Sequence, residues 1–477
     1  MLNKYLTTLL LILSLVAVNL PVVAETDTSA TLPDNVPALL VKANDAYLAK
    51  DYLTFRQTLE RLHTLRPYNG QYMYQLVIAH ALLDEKTPAY DMMLKMQQSG
   101  LSYDLTKTEN TRNIRDTEVF EFVNDMMVMA GNPLGESETA FTLPPEVALP
   151  VAITWDESRQ KFLVGTVADG SILAVGKDGE VTELLKADAD NGMWSVLDIL
   201  VDQPRNRLWV SSAAIAAFKG YKADNKGRSA LFEYNLETLD LVRRYPVPVD
   251  GKPHILGSMV QSPNGDILIV DRALPIVYRK AANEQQLKAL LASGDMVSMR
   301  GVAMQPDGNI MYIADRELGI LVVDLKGSKA MKLITPETLN LGGIDGLYLW
   351  NNHLVIIQNG ISPQRIMRLQ LDSTGTRVAA IRPLAVAQPA FDMPSFGTKL
   401  GEDLYYFASS QATTNNDPPK AVTVLRTPLN SSEDLVGPDM EAYMNERARK
   451  QEARNKAARE KAAAEEAARQ QDSENKD

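Results

Sequence analysis

The stretch Met299–Leu325, MRGVAMQPDGNIMYIADRELGILVVDL, constrains this chain most. Apolar and polar residues alternate through it, Pro306-Asp307-Gly308 interrupts it, Ile310–Ala314 resumes it, and Asp315–Gly319 interrupts it again before Ile320. Alternation punctuated by turn residues spells three strands of an antiparallel meander. Long open meanders present unpaired edges, so a chain that repeats this phrase needs a way to close.

Relatives of the phrase recur from Ala140 to Leu429. Six middle strands stand out: KFLVG (Lys161–Gly165), RLWVS (Arg207–Ser211), DILIVD (Asp266–Asp271), NIMYIAD (Asn309–Asp315), HLVIIQ (His353–Gln358) and DLYYFA (Asp403–Ala408). Each follows a turn, such as Pro263-Asn264-Gly265 or Pro306-Asp307-Gly308. A spacing of roughly 40 to 55 residues per unit fits a four-stranded blade, and a ring of six blades removes the open edges. The expectation is therefore a six-bladed β-propeller over residues 140–430. Its last strand, Ala421–Arg426, should pair near the entry at Ala140–Leu143. A sandwich is the structural alternative, but it leaves the recurring turn-strand-turn phrase unexplained.

Ahead of the strands lies a helical domain, residues 35–131. Val36, Leu39, Leu40, Ala43, Ala46 and Tyr47 follow helical spacing, as do Leu53, Phe55, Leu59 and Leu62 before Arg66-Pro67. The pattern repeats 34 residues on: Ala46 matches His80, Phe55 matches Ala89, Leu59 matches Met93 and Leu62 matches Met96. That period resembles the tetratricopeptide repeat over two units, which implies a surface for a peptide or protein partner; an ordinary four-helix pack differs little physically. A further helix around Thr117–Ala130 caps the stack.

Residues 438–477 are rich in Ala, Glu, Lys, Arg and Gln without a sustained apolar stripe. Glu446/Lys450, Glu452/Lys456 and Glu465/Arg469 sit at i, i+4, so a solvated, charged C-terminal helix that frays is expected, with a coiled-coil partner as the alternative. At the other end, residues 1–24 carry Lys4, an apolar run from Leu9 to Val18 and a V-x-A ending. This pattern predicts a cleavable export signal, with residues 25–34 as a polar linker and a periplasmic or secreted address; an uncleaved anchor helix is the other reading.

Composition narrows the function. The chain has no cysteine, which excludes thiol catalysis, disulfides and cysteine–zinc sites. Its formal charge of −11 offers nucleic acid no general electrostatic grip. The sequence holds no G-x-S-x-G, H-E-x-x-H, G-x-x-x-x-G-K-[ST] or G-x-G-x-x-G phrase.

The propeller phrases resemble the SMP-30/gluconolactonase/LRE-like proteins and NHL-type propellers, most clearly from Arg300 to Asp324 and at Gly343-Ile344-Asp345-Gly346-Leu347. A second likeness, through Leu197–Pro248, is to the yellow/major royal jelly branch. The first resemblance implies metal-dependent lactone or ester hydrolysis with a divalent ion, commonly Ca2+, in the central tunnel; the second implies binding without assigned catalysis. In the lactonase pattern Asp345 matches the Asp of a DG phrase and is the metal candidate. The Glu of the first blade is missing, since this chain reads Leu149-Pro150-Val151-Ala152-Ile153, and Arg300 stands where an Asn is wanted.

Arg300 and Asp345 on adjacent blades read either as a bracing ion pair or as a site for a carboxylate or phosphate, with the guanidinium gripping the anion and Asp345 reading a hydroxyl. Ser258, Asp392 and Ser395 are the corresponding positions of neighbouring blades and make a polar mouth. His254 is a candidate general base, against the plainer reading of a histidine in a surface turn. Asp271, Asp315 and Asn359 end second strands and are expected to cap turns. The reading favoured is an exported propeller that binds a small ligand or partner at its mouth, with the helical repeats as a second surface. The alternatives are a metal-dependent lactonase and a scaffold of an envelope complex.

Overall fold

In the computed structural model the described residues are 35–294, 296–411, 420–431 and, in the tail, 442, 445–450, 452–457, 459–461 and 463–464. The export signal and linker expected over residues 1–34 lie outside them. Among the described residues five α-helices, α1 (Val36–Leu48), α2 (Tyr52–Leu65), α3 (Gly70–Leu82), α4 (Lys86–Gln98) and α5 (Glu118–Met129), precede the strands. Asn35, Asp51, Asn69 and Thr117 cap their helices by accepting backbone amides, as their short polar side chains favour. The two hairpins α1/α2 and α3/α4 repeat at 34 residues, and the paired positions Ala46/His80, Phe55/Ala89, Leu59/Met93 and Leu62/Met96 are all buried. Among the described residues no helix is long and apolar enough to cross a membrane.

The six punctuated phrases become the second strands of six antiparallel sheets, which we number as blades 1 to 6. Blades 1 to 4 span residues 150–186, 195–246, 256–292 and 299–332. Blade 5 spans 344–386 and takes Leu134–Gly135 as a fifth, outer strand. Blade 6 joins both ends of the ring: three strands from residues 397–428 are completed by Glu138–Leu143, with Leu143 opposite Val422 and Phe141 opposite Val424. The strands that come first in blades 1 to 5 and Gly397–Leu400 of blade 6 surround the axis, and apolar clusters fill the spaces between blades. Closure leaves no open inner edge, which is why such alternating strands can share one core.

The helical domain stands on one end of this ring, over blades 4 and 5. Tyr68, after α2, packs against Gly319 and Leu341–Gly342, and Ile361 of blade 5 enters the core of α3 to α5. Arg365, 5% exposed, ties the domains together by donating to Ser99 O (3.1 Å), Asn340 O (3.2 Å) and Gln358 Oε1 (2.8 Å). The tail is less independent than its composition predicts. Arg454 reaches Glu118 and Glu121 on α5, and Arg447 lies over the Phe122 ring at 4.5 Å.

Candidate functional site

Two local features of the strands build the site. In blades 1 to 5 the innermost strand begins with a register shift against its neighbour, falling at Val151, Leu197, Gly257-Ser258, Arg300-Gly301 and Asp345. Such bulges re-aim side chains, here at one end of the ring. The second feature is the residue just past the second strand, whose amide bonds the carbonyl immediately before the innermost strand. Val167 bonds Leu149 O, Arg272 bonds Ile255 O, Arg316 bonds Ser298 O and Asn359 bonds Gly343 O. Equivalent hydrogen bonds put these four residues at equivalent places, at the same end as the bulges.

On blades 3 to 5 those places carry charge. Arg316 Nη1 donates to Asp345 Oδ1 at 2.7 Å, and Asn359 Nδ2 donates to Asp345 Oδ2 at 2.6 Å and to Pro394 O at 2.9 Å. Arg300 Nε stands 3.7 Å from Asp345 Oδ1, beyond hydrogen-bond reach. Arg272 completes the group. Its stem passes over Gly257, where an added Cβ would lie 2.4 Å from Cδ, and its guanidinium lies over the Phe396 ring at 4.9 Å. Only glycine leaves room for that stem.

Both charge signs meet at the site, since Arg300 feels Asp315 and Glu317 as well as Asp345. Burial pushes the Asp345 carboxyl up, but Arg316, Arg300 and Arg272 more than offset it and hold it below the usual carboxylate range. Burial, with Arg300 beside it, lowers the Arg272 guanidinium to about 9, so it stays charged at neutral pH. Asp198, on the innermost strand of blade 2, accepts the amides of Met259 (2.7 Å) and Ile199 (2.9 Å). Burial nonetheless raises it to about 7, against those amides and Arg272. Three guanidinium groups thus act on Asp345, whereas Arg272 alone of them acts on Asp198. Arg272 Nε, Arg300 Nε and Asn359 Oδ1 are buried without a hydrogen-bond partner among the described residues. Unsatisfied buried groups are costly, and these are two donors and one acceptor in the same mouth.

Several expectations need correction. The expected Arg300–Asp345 ion pair is present at 3.7 Å, but the guanidinium hydrogen-bonded to Asp345 is that of Arg316. Asp271 and Asp315 do cap turns: Asp315 accepts the amides of Val297, Ser298, Glu317 and Leu318, and Asp271 those of Ile255, Ala273 and Leu274. Asn359 does not belong with them. It sits one register place later, in line with Arg272 and Arg316, and Gln358 takes the aspartate's position. His254 is no surface-turn residue: it is 3% exposed, its Nδ1 2.7 Å from Asp271 and its Nε2 3.0 Å from Asp250. Both ring nitrogens are occupied by carboxylates, which leaves none for a general base's proton. Ser258 is half-buried in the blade 3 bulge beside Gly257. Asp392 is exposed and Ser395 buried; their segment meets the cluster through Pro394 O and the Phe396 ring.

Arg272, Arg316 and Asp198 escaped sequence reasoning. The signal for the first two was Val270-Asp271-Arg272 and Ala314-Asp315-Arg316, the same two-residue phrase at the same strand end.

Asp345 also fails as the start of a cation site. Both its oxygens face cationic or amide donors, and three guanidinium groups surround the place a divalent ion would occupy. Among the described residues, no group of three or more His, Cys, Asp or Glu is arranged to hold a metal ion. This donor set does not fit Ca2+; it fits an anion.

No family model matches the sequence, and no curated protein matches it. Solved structures do resemble it in fold. The PQQ-bound aldose sugar dehydrogenase of Streptomyces coelicolor matches with 12% identity over 62% of this chain and 99% of that one, at a TM-score of 0.43. A gluconolactonase of Xanthomonas campestris matches with 16% identity over 62% and 90%, at 0.41. Regucalcin, a calcium-binding protein of Agrobacterium tumefaciens, matches with 14% identity over 61% and 95%, at 0.43. Its own six sheets make the chain a six-bladed β-propeller joined to a helical N-terminal domain. No residue role passes from those proteins to this one, because a propeller hosts many unrelated sites.

Proposed function

We propose that the tunnel mouth binds a small organic anion, a carboxylate or phosphate ester that carries a hydroxyl close to its charge. The observation behind this reading is the convergence of Arg272, Arg300 and Arg316 on the carboxylate of Asp345, with two guanidinium N–H donors buried and unpaired among the described residues. Guanidinium forks match the oxygens of carboxylate and phosphate. Asn359 Oδ1, the unpaired acceptor beside them, suits the ligand's hydroxyl. The helical domain stands beside the mouth: Tyr68 and Asn69 share with Arg316, Glu317, Gly342, Gly343 and Gly360 a cavity of about 40 Å³, roomy enough for an ordered water. In this reading the helical domain fences the site on the side of blades 4 and 5.

The lactonase alternative requires a metal for which these donors are unsuited, and the propeller needs no catalysis to use this site. The test is the thermal midpoint of the full chain with glycolate, acetate and glycerol 3-phosphate, against ethylene glycol as the uncharged control. A ligand at 100 times its Kd stabilises the folded state by about 2.7 kcal/mol. The midpoint should rise with the anions, more with glycolate than acetate, and Arg300→Met should abolish the rise. Equal midpoints in all four solutions, or an undiminished rise in Arg300→Met, would overturn the reading.

A further inference from the structure

The places that carry arginine and asparagine on blades 3 to 5 carry aliphatic side chains on blades 1 and 2. Val151 and Leu197 occupy the bulges equivalent to Arg300 and Asp345, and Val167 occupies the place equivalent to Arg272, Arg316 and Asn359. With Ala213 and the half-buried Leu149, Ile215 and Ile255 they form an apolar cluster separate from the blade cores. The two arcs are continuous. Ile255 of the apolar cluster accepts the amide of Arg272 at 2.8 Å, so the aliphatic wall runs directly into the cationic one.

A polar tunnel mouth has no need of such a cluster. Val167, Leu197 and Ala213 are buried, but Leu149, Val151, Ile215 and Ile255 are only half-buried, and aliphatic groups around a tunnel face water unless something apolar covers them. The same ring that supplies three guanidinium groups on one side thus supplies an alkyl-compatible surface on the other. Charge complementarity settles which apolar molecule fits, because a neutral or cationic amphiphile would leave the arginine donors unpaired.

We infer that the ligand is an amphiphilic carboxylate, a medium-chain acid whose head is held by Arg272, Arg300 and Arg316 and whose alkyl chain lies along the half-buried Val151, Ile215 and Ile255. The inference rests on the anion reading above and adds the apolar half. It commits to a free soluble acid rather than a membrane, because Val151 is on an innermost strand and Leu149 and Ile255 directly precede innermost strands, not an outer face of the ring.

The experiment is calorimetric titration of the full chain with acetate, butyrate, hexanoate and octanoate below their micellar concentrations. Two further ligands, octyltrimethylammonium and vesicles of anionic phospholipid, serve as controls. Four methylenes that lose about half their water contact should tighten binding about tenfold from butyrate to octanoate. Ile215→Gln, on an irregular segment after its strand, should flatten that chain-length dependence. Acetate binding without any gain along the series would overturn this inference and leave the anion reading standing. Failure of every acid would remove both. Equal binding of octyltrimethylammonium, or capture on vesicles in place of free octanoate, would overturn the assignment of a soluble anionic amphiphile.

Discussion

Asp345→Asn should weaken the fold and strengthen the ligand, and the opposition of those two signs follows from the charges around it. The carboxylate takes Arg316 Nη1 at 2.7 Å and Asn359 Nδ2 at 2.6 Å, and its side chain is 13% exposed against 22% for Arg316. Breaking a fully buried pair costs about 3–5 kcal/mol; the residual water access here reduces that to about 2–3 kcal/mol. For a domain of this size the midpoint should fall by roughly 5 °C or more. The ligand gains because a like charge is gone. At about 6 Å, two unit negative charges repel by about 0.7 kcal/mol in water and about 2.8 kcal/mol at an effective dielectric of 20, which brackets a gain of about threefold to a hundredfold in affinity.

The pH dependence carries the same sign argument. Asp345 is held below its ordinary range when folded, so its contribution is present above the unfolded carboxylate value of about 4 and is lost as pH falls through the lower folded value. The asparagine variant should therefore lose less on acidification than the wild type. Thermal melts and octanoate titrations on both proteins check the two signs together. A variant that melts lower and binds more weakly, or that melts unchanged, would refute the electrostatic account of the mouth.

Other outcomes follow from neighbouring groups. Asp198 is raised to about 7, so its contribution is fully present below its unfolded value near 4 and is lost as pH rises through 7; Asp198→Asn should raise the melting midpoint at pH 8 and change it little at pH 5. Removing the Arg365 side chain leaves the carbonyls of Ser99 and Asn340 without its donors, so Arg365→Met should cost about 2–4 kcal/mol and split calorimetric unfolding into separate helical and propeller transitions. A single unchanged transition would contradict the domain contact described here. Gly343 has φ of +66° and would place a Cβ 2.5 Å from Gly360 Cα, so Gly343→Ala should destabilise by more than the roughly 1 kcal/mol of a left-handed backbone alone, read by urea titration.

The ring was legible in the sequence because each second strand carries its own turn and its own alternation. Those are local signals, as with Pro306-Asp307-Gly308 ahead of Ile310–Asp315. Arg300 and Asp345 were legible as tunnel residues for a related reason, since each opens an innermost strand at a countable distance before such a turn. Arg272 and Arg316 were not. Each follows an aspartate that caps a turn, and a residue in a turn reads as solvent-facing. Whether it swings inward is decided by the hydrogen bond to the strand before it, a property of two strands at once. Asp198 was hidden in LDILVD, where it reads as the polar member of an alternating strand. His254 was misread because its burial depends on Asp271, 17 residues on, and on Asp250. The seat of the helical domain depends on Arg365 reaching Ser99 across 266 positions, and no local pattern announces a contact of that range.

The most direct test of the account is titration of octanoate into the full chain and into Arg300→Met, with methyl octanoate as a ligand of equal shape and no charge. The account predicts saturable binding of octanoate to the wild type, loss of at least tenfold in affinity in Arg300→Met, and no binding of the ester to either; the loss corresponds to about 1.4 kcal/mol, the low end for a charge-assisted hydrogen bond. Ester and acid binding alike, or wild type and variant binding alike, would contradict the claim that three arginines at the propeller mouth make an anion site.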